Sequence, residues 1–450
     1  MTPPHKARFR AVFLACLALT MLGAPAQARK KAPPAPPPAT TGLVDNINGI
    51  VVDARGLTTR FTGLLIGQDG RVERRLARDD KRPDSLAWRY DAKGRTLIPS
   101  FIDGHARVIA TGIRLMTLDL SETRSLAEAQ AMIAAHARAN PTKKWILGSG
   151  WDAARWGAAA PMAAQLDAAV ADTPAWLESA DGRSGWANSA ALRLAGLKET
   201  GALTGVAKQQ MERIVPPPSP KDRDIALDKA QRFFLERGIS AVADMGTTIL
   251  DWQAYRRAGD RGALRLRIIG YANGIEHMAT IAGPAPSPWL YDDRLRLAGV
   301  YLPVENNADT TRLGNLASRA AMDNFQIALT PEGEPALQKA ATVMREMAES
   351  YPGDRRWRTE PINAELPSFA RLATAARREG TSGNALAEVS TRAAQAAFAE
   401  QRIGALEPGQ WADFLLIDRD IDTAQPDAIA DTRIIEHWIG GKQVWKNGAP

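Results

Sequence analysis

The residues best suited to chemistry lie at the end of an apolar run, in residues 97–107 (LIPSFIDGHAR). In a parallel barrel, the carboxyl end of each strand presents polar residues to the mouth, where catalytic groups lie. Alternate residues of a strand share a face, so His105 and Arg107 are expected to point into the mouth together. Two histidines at this spacing would form a strong divalent-metal site, but an arginine stays protonated and offers no lone pair.

The elements that would position these residues follow from the pattern of apolar runs. Residues 43–98 and 402–450 contain short runs separated by turn signals, which predict a small β-sandwich domain formed from both ends of the chain. Residues 99–401 alternate short apolar runs with longer helical patterns, which predicts an α/β protein with a TIM-like (β/α) barrel. The predicted strands between the two ends are residues 145–147, 175–177, 239–243, 264–269, 295–300 and 326–329, and the predicted helices are residues 126–139, 224–237 and 335–349.

The first 42 residues are predicted to lie outside the fold. Residues 1–28 have a basic start, an apolar run too short to span a bilayer and a small-x-small ending, which is typical of a cleavable signal peptide. Residues 29–42 are rich in proline and predict a stiff linker. We therefore expect a periplasmic or secreted protein that has no stable membrane span after cleavage.

Charge and cysteine content exclude several classes of function. The formal charge of +7 falls to +4 without the three basic residues of the signal, and to +1 without three more in the linker. No basic stripe is interleaved with aromatic residues, so nucleic-acid binding is not expected. The only cysteine, Cys16, lies in the signal, which excludes disulfides and thiolate metal sites from the mature chain.

Residues 97–107 resemble the first metal motif of the amidohydrolase superfamily, Pro-Gly-x-Ile-Asp-x-His-x-His. Residues 145–152 (WILGSGWD) and 181–192 (DGRSGWANSAAL) resemble the amidohydrolase-3 branch, which includes N-substituted formamide deformylase-like enzymes. Residues 402–414 (RIGALEPGQWADF) resemble the family's return into its small β-domain. These matches occur in the family's order along most of the chain, so chance similarity is a poor explanation.

The resemblance implies metal-dependent hydrolysis of amide and related C–N bonds, in which a divalent metal such as zinc activates a water molecule. The family's first histidine corresponds to His105, but the other positions of its ligand set differ. The second histidine falls on Arg107, the lysine on Tyr301, the two later histidines on Thr330 and Pro361, and a substrate-contacting histidine on Arg183. These departures identify the chain as a degenerate member of the family.

The family's aspartate has no counterpart in this sequence. Only 36 residues separate Pro361 from Phe398, whereas two more strand–helix units would need about 30 residues each. This segment is rich in alanine and arginine and predicts helices without a clear strand. We therefore expect the barrel to be incomplete or distorted.

Two functions remain open on these residues. One is a pseudoenzyme that binds a small ligand, and the other is an active hydrolase of N-acyl or formamide-like substrates with a reduced or relocated metal site. The candidate ligand-binding residues are Arg107, Trp151, Arg183 and Tyr301. His105 is a vestigial metal ligand, expected to bond a nearby carboxylate or carbonyl, with Asp103 on the same face.

The candidate residues also allow plainer interpretations. Arg107 and Arg183 either form a pocket for a carboxylate or phosphate, or each pairs with a local acid, which the frequency of ion pairs favours. Trp151 and its neighbouring tryptophans fit packing better than a ligand cage. No cofactor is expected beyond the zinc that the resemblance implies, and the missing ligands argue against zinc here.

Overall fold

The computed structural model describes residues 40–157, 159–198, 200–360 and 365–448. The predicted signal peptide (1–28) and nearly all of the linker (29–42) lie outside these residues. The strands are β1 (Gly42–Val52), β2 (Thr58–Ile66), β3 (Val72–Leu76), β4 (Trp88–Asp91), β5 (Thr96–Pro99), β6 (Phe101–Ala106), β7 (Leu118–Asp119), β8 (Ile146–Trp151), β9 (Ala175–Ser179), β10 (Gly185–Ala187), β11 (Ile239–Thr247), β12 (Arg267–Asn273), β13 (Leu295–Val304), β14 (Gln326–Pro331), β15 (Arg358–Thr359), β16 (Phe414–Ile417), β17 (Ile434–Ile439) and β18 (Lys442–Lys446).

Helices separate most of the central strands. They are α1 (Val108–Arg114), α2 (Leu126–Ala139), α3 (Ala163–Asp167), α4 (Ser189–Ala195), α5 (Gly205–Ile214), α6 (Pro220–Glu236), α7 (Ile249–Asp260), α8 (Ile275–Ala282), α9 (Thr310–Met322), α10 (Glu334–Ser350), α11 (Phe369–Glu379), α12 (Ser382–Glu388), α13 (Thr391–Ala396) and α14 (Pro426–Ala430). Within the described ranges, no helix is both long and apolar enough to cross a membrane.

The two ends of the described chain meet in one eight-stranded sheet, the terminal sheet. Its order is β18-β17-β16-β5-β1-β2-β3, and β4 also pairs with β1. The amino-terminal strands β1 to β5 join the carboxyl-terminal strands β16 to β18 where β5 pairs antiparallel with β16, with Pro99 opposite Phe414. Apolar side chains from both ends share one buried cluster, which explains why the strands need each other to bury their inner faces.

The centre of the molecule is a curled parallel sheet of order β15-β14-β13-β12-β11-β6. Every neighbouring pair in it is parallel, and helices cover its outer face with a large apolar core. Alternate strand residues form a second cluster on the inner face, such as Ile102, Ala243 and Ile269. This arrangement confirms the predicted α/β class and the incomplete TIM-like barrel.

The barrel is open between β6 and β15, which form no ladder with each other in the described part of the chain. Helices α11 to α13 occupy this opening, called the seam below, and Ile102 N donates to Val389 O at 2.8 Å across it. Alanines 394, 397 and 399 join the inner cluster of the barrel. The described part of the alanine- and arginine-rich segment is thus helical, as predicted.

The structure corrects the prediction of a single parallel sheet. The predicted strands at 145–147 and 175–177 belong to a separate sheet of order β10-β9-β8-β7. This sheet has a buried cluster of its own, which includes Trp151, Leu177 and Trp186. The strand–helix alternation was detected correctly, but the large side chains of these strands pack against one another instead of the barrel.

Candidate functional site at the barrel mouth

The polar residues at the carboxyl ends of β6 and β15 face each other across the seam. Asp103 and His105 come from β6, Arg358 begins β15, and Glu360 directly follows β15. Together with Tyr271 of β12 they form a group that we call the polar cluster. Asp103, Glu360 and Tyr271 are buried, and the side chains of His105 and Arg358 are only 8% and 12% exposed, because β6 and β15 are the two edges of the curled sheet and α11 to α13 cover the gap between them.

Arg358 connects the two edges of the open barrel. Its Nε donates to Glu360 Oε1, its Nη2 donates to the carbonyl oxygen of Gly104 at 2.8 Å, and its Nη1 lies 3.4 Å from the Tyr271 hydroxyl. Burial opposes the charged guanidinium, but Tyr271 and Glu360 raise the pKa of Arg358 above its ordinary value. A permanent positive charge therefore lies between the strand ends of the seam.

His105 has a different partner from the one expected. Asp103 Oδ1 accepts from the backbone N–H of His105 at 2.9 Å, so Asp103 holds the main chain and leaves the ring free. The ring Nδ1 lies 3.4 Å from Glu360 Oε2, but the geometry does not make a hydrogen bond. Nδ1 of His105 and Oδ2 of Asp103 are both buried without hydrogen-bond partners in the described structure. Burial raises the pKa of Asp103.

Arg107 and Tyr301, which resemblance assigns to two ligand positions, contact each other directly. Arg107 Nη2 donates to the Tyr301 hydroxyl at 2.7 Å, and the guanidinium lies 5.2 Å from the centre of the ring. No acidic side chain pairs with Arg107 among the described residues, so it does not follow the interpretation of a local ion pair. The guanidinium is held in place by the Tyr301 hydroxyl and ring.

The other two candidate residues lie in the four-stranded sheet. Trp151 is buried, donates from Nε1 to Leu177 O at 2.8 Å and packs against Trp156, as a core residue does. Arg183 is exposed in the turn between β9 and β10, where its backbone N–H donates to Asp181 Oδ1. The sequence therefore grouped residues that the structure separates into a barrel mouth and a neighbouring sheet.

The residues at the mouth do not match the family's metal site. Arg107 and Tyr301 bind each other, and the buried Thr330 Oγ1 has no hydrogen-bond partner in the described structure. No group of three or more histidine, cysteine, aspartate or glutamate side chains in the described ranges is arranged to hold a metal ion. Zinc requires three or more such donors, whereas here a guanidinium lies between Glu360 and the end of β6.

A cavity of about 770 Å³ lies beside the mouth, between α1 and the four-stranded sheet. We call it the side cavity. Arg107 is one of its lining residues, and neither His105 nor Glu360 lines it. It is lined by Arg107, Ile109, Ala110, Thr111, Ile113, Arg114, Thr117, Leu147, Gly148, Ser149, Trp176, Glu178, Glu212, Val215, Pro216, Pro218, Arg223 and Asp251.

Sequence reasoning missed Arg358, Glu360 and Tyr271 as members of the site. Residues 358 and 360 are two apart around the end of β15, so they share a face, and this spacing was a usable signal. Tyr271 gave no comparable signal, because it lies in the middle of an apolar strand. Its part in the cluster depends on contacts with residues far away in the sequence.

The curled parallel sheet and the polar residues at its strand ends define an open TIM-like barrel. A metal-dependent hydrolase from Pyrococcus horikoshii OT3 aligns with a TM-score of 0.67 and 17% identity, over 86% of this chain and 99% of that chain. A metal-dependent hydrolase from Pyrococcus furiosus aligns with a TM-score of 0.66 and 19% identity, over 85% of this chain and 99% of that one. At these identities the likeness establishes the fold.

The sequence match is more specific. The amidohydrolase-3 model, described as the amidohydrolase family, matches residues 90–383 and 374–445, so this chain belongs to the amidohydrolase family. It is 26% identical to N-substituted formamide deformylase of Arthrobacter pascens over 253 residues, which are 49% of this chain and 45% of that protein. Protein LONG AFTER FAR-RED 3 of Arabidopsis thaliana is 25% identical over 339 residues, 62% of this chain and 57% of that protein.

These two curated relatives are each matched over less than two thirds of their own length. The matches confirm the amidohydrolase-3 branch that the motifs indicated, in which metal-dependent hydrolysis is the family's chemistry.

Proposed function

We propose that this protein is a pseudoenzyme of the amidohydrolase family that binds a small ligand and does not perform metal-dependent hydrolysis. One observation carries the proposal: Arg358 joins Glu360 to Gly104 at the strand ends where the family holds its metal. A divalent cation placed beside this guanidinium would be repelled, because two positive charges in a buried site interact strongly.

The remaining donors support the same conclusion. Activating a water molecule requires a metal held by several lone-pair donors and a group that takes up the proton. Arg107 and Tyr301 supply neither, since the guanidinium has no lone pair and donates to the phenol oxygen. His105 retains one unpaired ring nitrogen, Nδ1, which is buried 3.4 Å from Glu360 Oε2, and these two groups are too few donors for a catalytic metal site.

The metal content of the purified mature protein tests this proposal. The protein is produced with added zinc and measured by elemental analysis, beside His105→Ala and the control His136→Ala on α2. We expect zinc near background in all three proteins and no hydrolysis of a panel of N-acyl and formamide-like substrates.

The alternative function predicts a different pattern. Near-stoichiometric zinc that is lost in His105→Ala but kept in His136→Ala would overturn the pseudoenzyme proposal. Hydrolysis that depends on this zinc would then establish a reduced metal site.

We also propose that the protein is exported, on the basis of the charge and apolar pattern of residues 1–28. Expression of the full chain in a Gram-negative host should give a mature protein that begins after residue 28. Amino-terminal sequencing of the periplasmic fraction checks this. A cytoplasmic protein that keeps its first residues would contradict export.

A further inference from the structure

We propose that the side cavity binds an organic monoanion with an apolar body, and that Arg107 is the partner of its anionic group. This inference rests on the proposed ligand-binding function and gives it a site and a ligand class. The occupant is a small molecule, because the side cavity has a volume of about 770 Å³, within the range of small-ligand pockets.

The wall of the side cavity is suited to an apolar body. Its apolar side chains come from three separate parts of the fold and face one another across the space. They are Ile109 and Ile113 of α1, Leu147 and Trp176 of the four-stranded sheet, and Val215, Pro216 and Pro218 between α5 and α6. Transfer of an aliphatic or aromatic group from water to such a wall is favourable.

The charges around the side cavity are not balanced. Each acid that lines it already has a cationic partner: Asp251 binds Arg223 at 2.7 Å, and Glu212 and Glu178 both face Lys208. Arg107 and Arg114, in contrast, have no acidic partner among the described residues. Because the two glutamates share Lys208, the four cations Arg107, Arg114, Arg223 and Lys208 exceed the three acids by one positive charge, and charge complementarity favours a monoanion.

Arg107 is also positioned to bind that anion. A guanidinium has five N–H donors, and Arg107 uses one of them on the Tyr301 hydroxyl at 2.7 Å. This bond fixes the side chain before a ligand arrives, which lowers the entropy cost of binding. The free donors can make two parallel bonds to a carboxylate.

The same lining limits the ligand to one negative charge. Glu178 and Glu212 stand at the side cavity with Lys208 between them, so a second anionic group on the ligand would meet carboxylates. Polyphosphates and tricarboxylates are therefore disfavoured. The ligand we infer has one carboxylate at Arg107 and an aromatic or aliphatic body against Trp176 and the prolines.

Calorimetric titration of the mature protein, treated with EDTA, tests the inference with 4-phenylbutyrate as the probe. Its matched neutral probe is 4-phenylbutanol, and citrate is the polyanion. We expect 4-phenylbutyrate to bind with a Kd below about 1 mM and at least about tenfold more tightly than either of the others.

Variants locate the binding. Arg107→Met should weaken 4-phenylbutyrate binding by about tenfold or more, because a charged hydrogen bond is lost, whereas Arg107→Lys should retain part of it. The control Arg345→Met, on the exposed face of α10, should bind as the parent does. Ala110→Trp, which places a bulky side chain in the side cavity, should also abolish binding and leaves Arg107 intact.

Three outcomes would overturn the inference: no binding of 4-phenylbutyrate below about 1 mM, equal binding of the neutral probe, or unchanged binding in Arg107→Met. The zinc measurement is independent of this titration. If zinc proves stoichiometric while binding requires Arg107, the pseudoenzyme proposal fails and the side-cavity site stands. If zinc is absent and 4-phenylbutyrate does not bind, the side-cavity inference fails and the absence of a catalytic metal stands.

Discussion

The side chain of Arg267 is almost completely buried and relies on one acid for its counter-charge. Its Nε and Nη2 donate to the two carboxylate oxygens of Asp413 at 2.6 and 2.9 Å, and its guanidinium lies 4.5 Å from the Trp411 ring. Burial would raise the pKa of Asp413, but Arg267 holds it below the ordinary value. This pair joins β12 of the barrel to the segment that enters the terminal sheet.

Removing one member of the pair should be costly. We expect Arg267→Met to lower the free energy of unfolding by about 3–5 kcal/mol, because it leaves the Asp413 charge buried and uncompensated. Urea denaturation at neutral pH measures the change. In Arg267→Met/Asp413→Asn, the amide still accepts from Gly440 N and carries no charge, so part of the loss should be recovered. No recovery would contradict the electrostatic cause.

A buried histidine predicts a pH dependence of stability. His437 Nδ1 lies 2.9 Å from Leu235 O and its Nε2 lies 3.0 Å from Ser100 Oγ, so the neutral ring donates to the carbonyl and accepts from the hydroxyl. Burial lowers the pKa of His437 to about 4 from the ordinary 6.5. The unfolded chain therefore binds a proton in this range that the folded chain does not.

This difference sets the sign of the effect. The contribution of His437 is fully present above about pH 6.5 and is lost as the pH falls toward about 4, by about 3 kcal/mol in total. Urea denaturation at several pH values in this window gives the free energy of unfolding as a function of pH. This free energy should change less steeply with pH in His437→Gln than in the parent. The comparison variant His136→Gln, on α2, should reduce the slope by less, because burial also lowers the pKa of His136 but His437 is the more deeply buried ring. An unchanged slope in His437→Gln would refute the assignment.

At the scale of elements, helices α1 and α6 approach too closely for any side chain at Gly112. A Cβ at this position would lie 1.9 Å from the carbonyl oxygen of Ala226 on α6. The backbone of α6 cannot move aside without disturbing the apolar core that it forms with β11. The position of the side cavity depends on this packing, because α1 forms one of its walls.

A matched pair of glycine substitutions tests this close approach. Gly112→Ala should lower the free energy of unfolding by about 2 kcal/mol or more, because it overpacks the contact. Gly314→Ala, on α9 where a Cβ meets no other atom within 4 Å, should instead raise it by up to about 1 kcal/mol. Thermal and urea denaturation measure both. Equal effects at the two sites would show that the helices can separate.

We predict that the barrel is least stable at the seam and that Arg358 stabilises it there. Arg358→Met should lower the free energy of unfolding by about 3 kcal/mol, because Glu360 loses its counter-charge and Gly104 O loses a donor. Hydrogen exchange should speed up first in β6 and β15, and later in the central β12. The control Arg345→Met should change neither, and uniform acceleration across the sheet would contradict a role at the seam.

The elements were easier to predict from the sequence than their partners. Residues 126–139 form α2 with the predicted bounds, and Ser125 accepts from Glu128 N at the start of the helix. The runs at 239–243, 295–300 and 326–329 all lie within barrel strands. The sheet to which residues 145–147 belong was not predictable, because an apolar run indicates that a strand is buried but does not indicate which strand pairs with it.

The site was predicted in part for the same reason. His105 and Arg107 lie at the mouth as the strand pattern indicated, since alternate residues share a face, and Tyr301, which the resemblance placed there, contacts Arg107. Arg358 meets Gly104 across 254 residues, and no local pattern reports such a contact. Trp151 and Arg183 were grouped with the mouth by resemblance, although their strands fold into another sheet.

At the scale of the whole molecule, we propose that no bound metal stabilises the fold. The protein should therefore resist chelators. The described fold is joined by ladders, buried apolar clusters and ion pairs such as Arg267 with Asp413. Treatment with EDTA should shift the melting temperature by less than about 1 °C, because bound zinc would otherwise contribute to folding free energy. Differential scanning calorimetry with and without EDTA measures the shift. A drop of several degrees that zinc reverses would contradict the proposal.

The pairing of β5 with β16 has a mechanical consequence. The whole barrel lies between these two strands in the sequence, and Pro99 and Phe414 face each other in their ladder. Tension applied to the two ends of the chain reaches this ladder before it reaches any barrel strand. Under a pulling force the terminal sheet should therefore rupture first, and the open barrel should extend in a second, separate event.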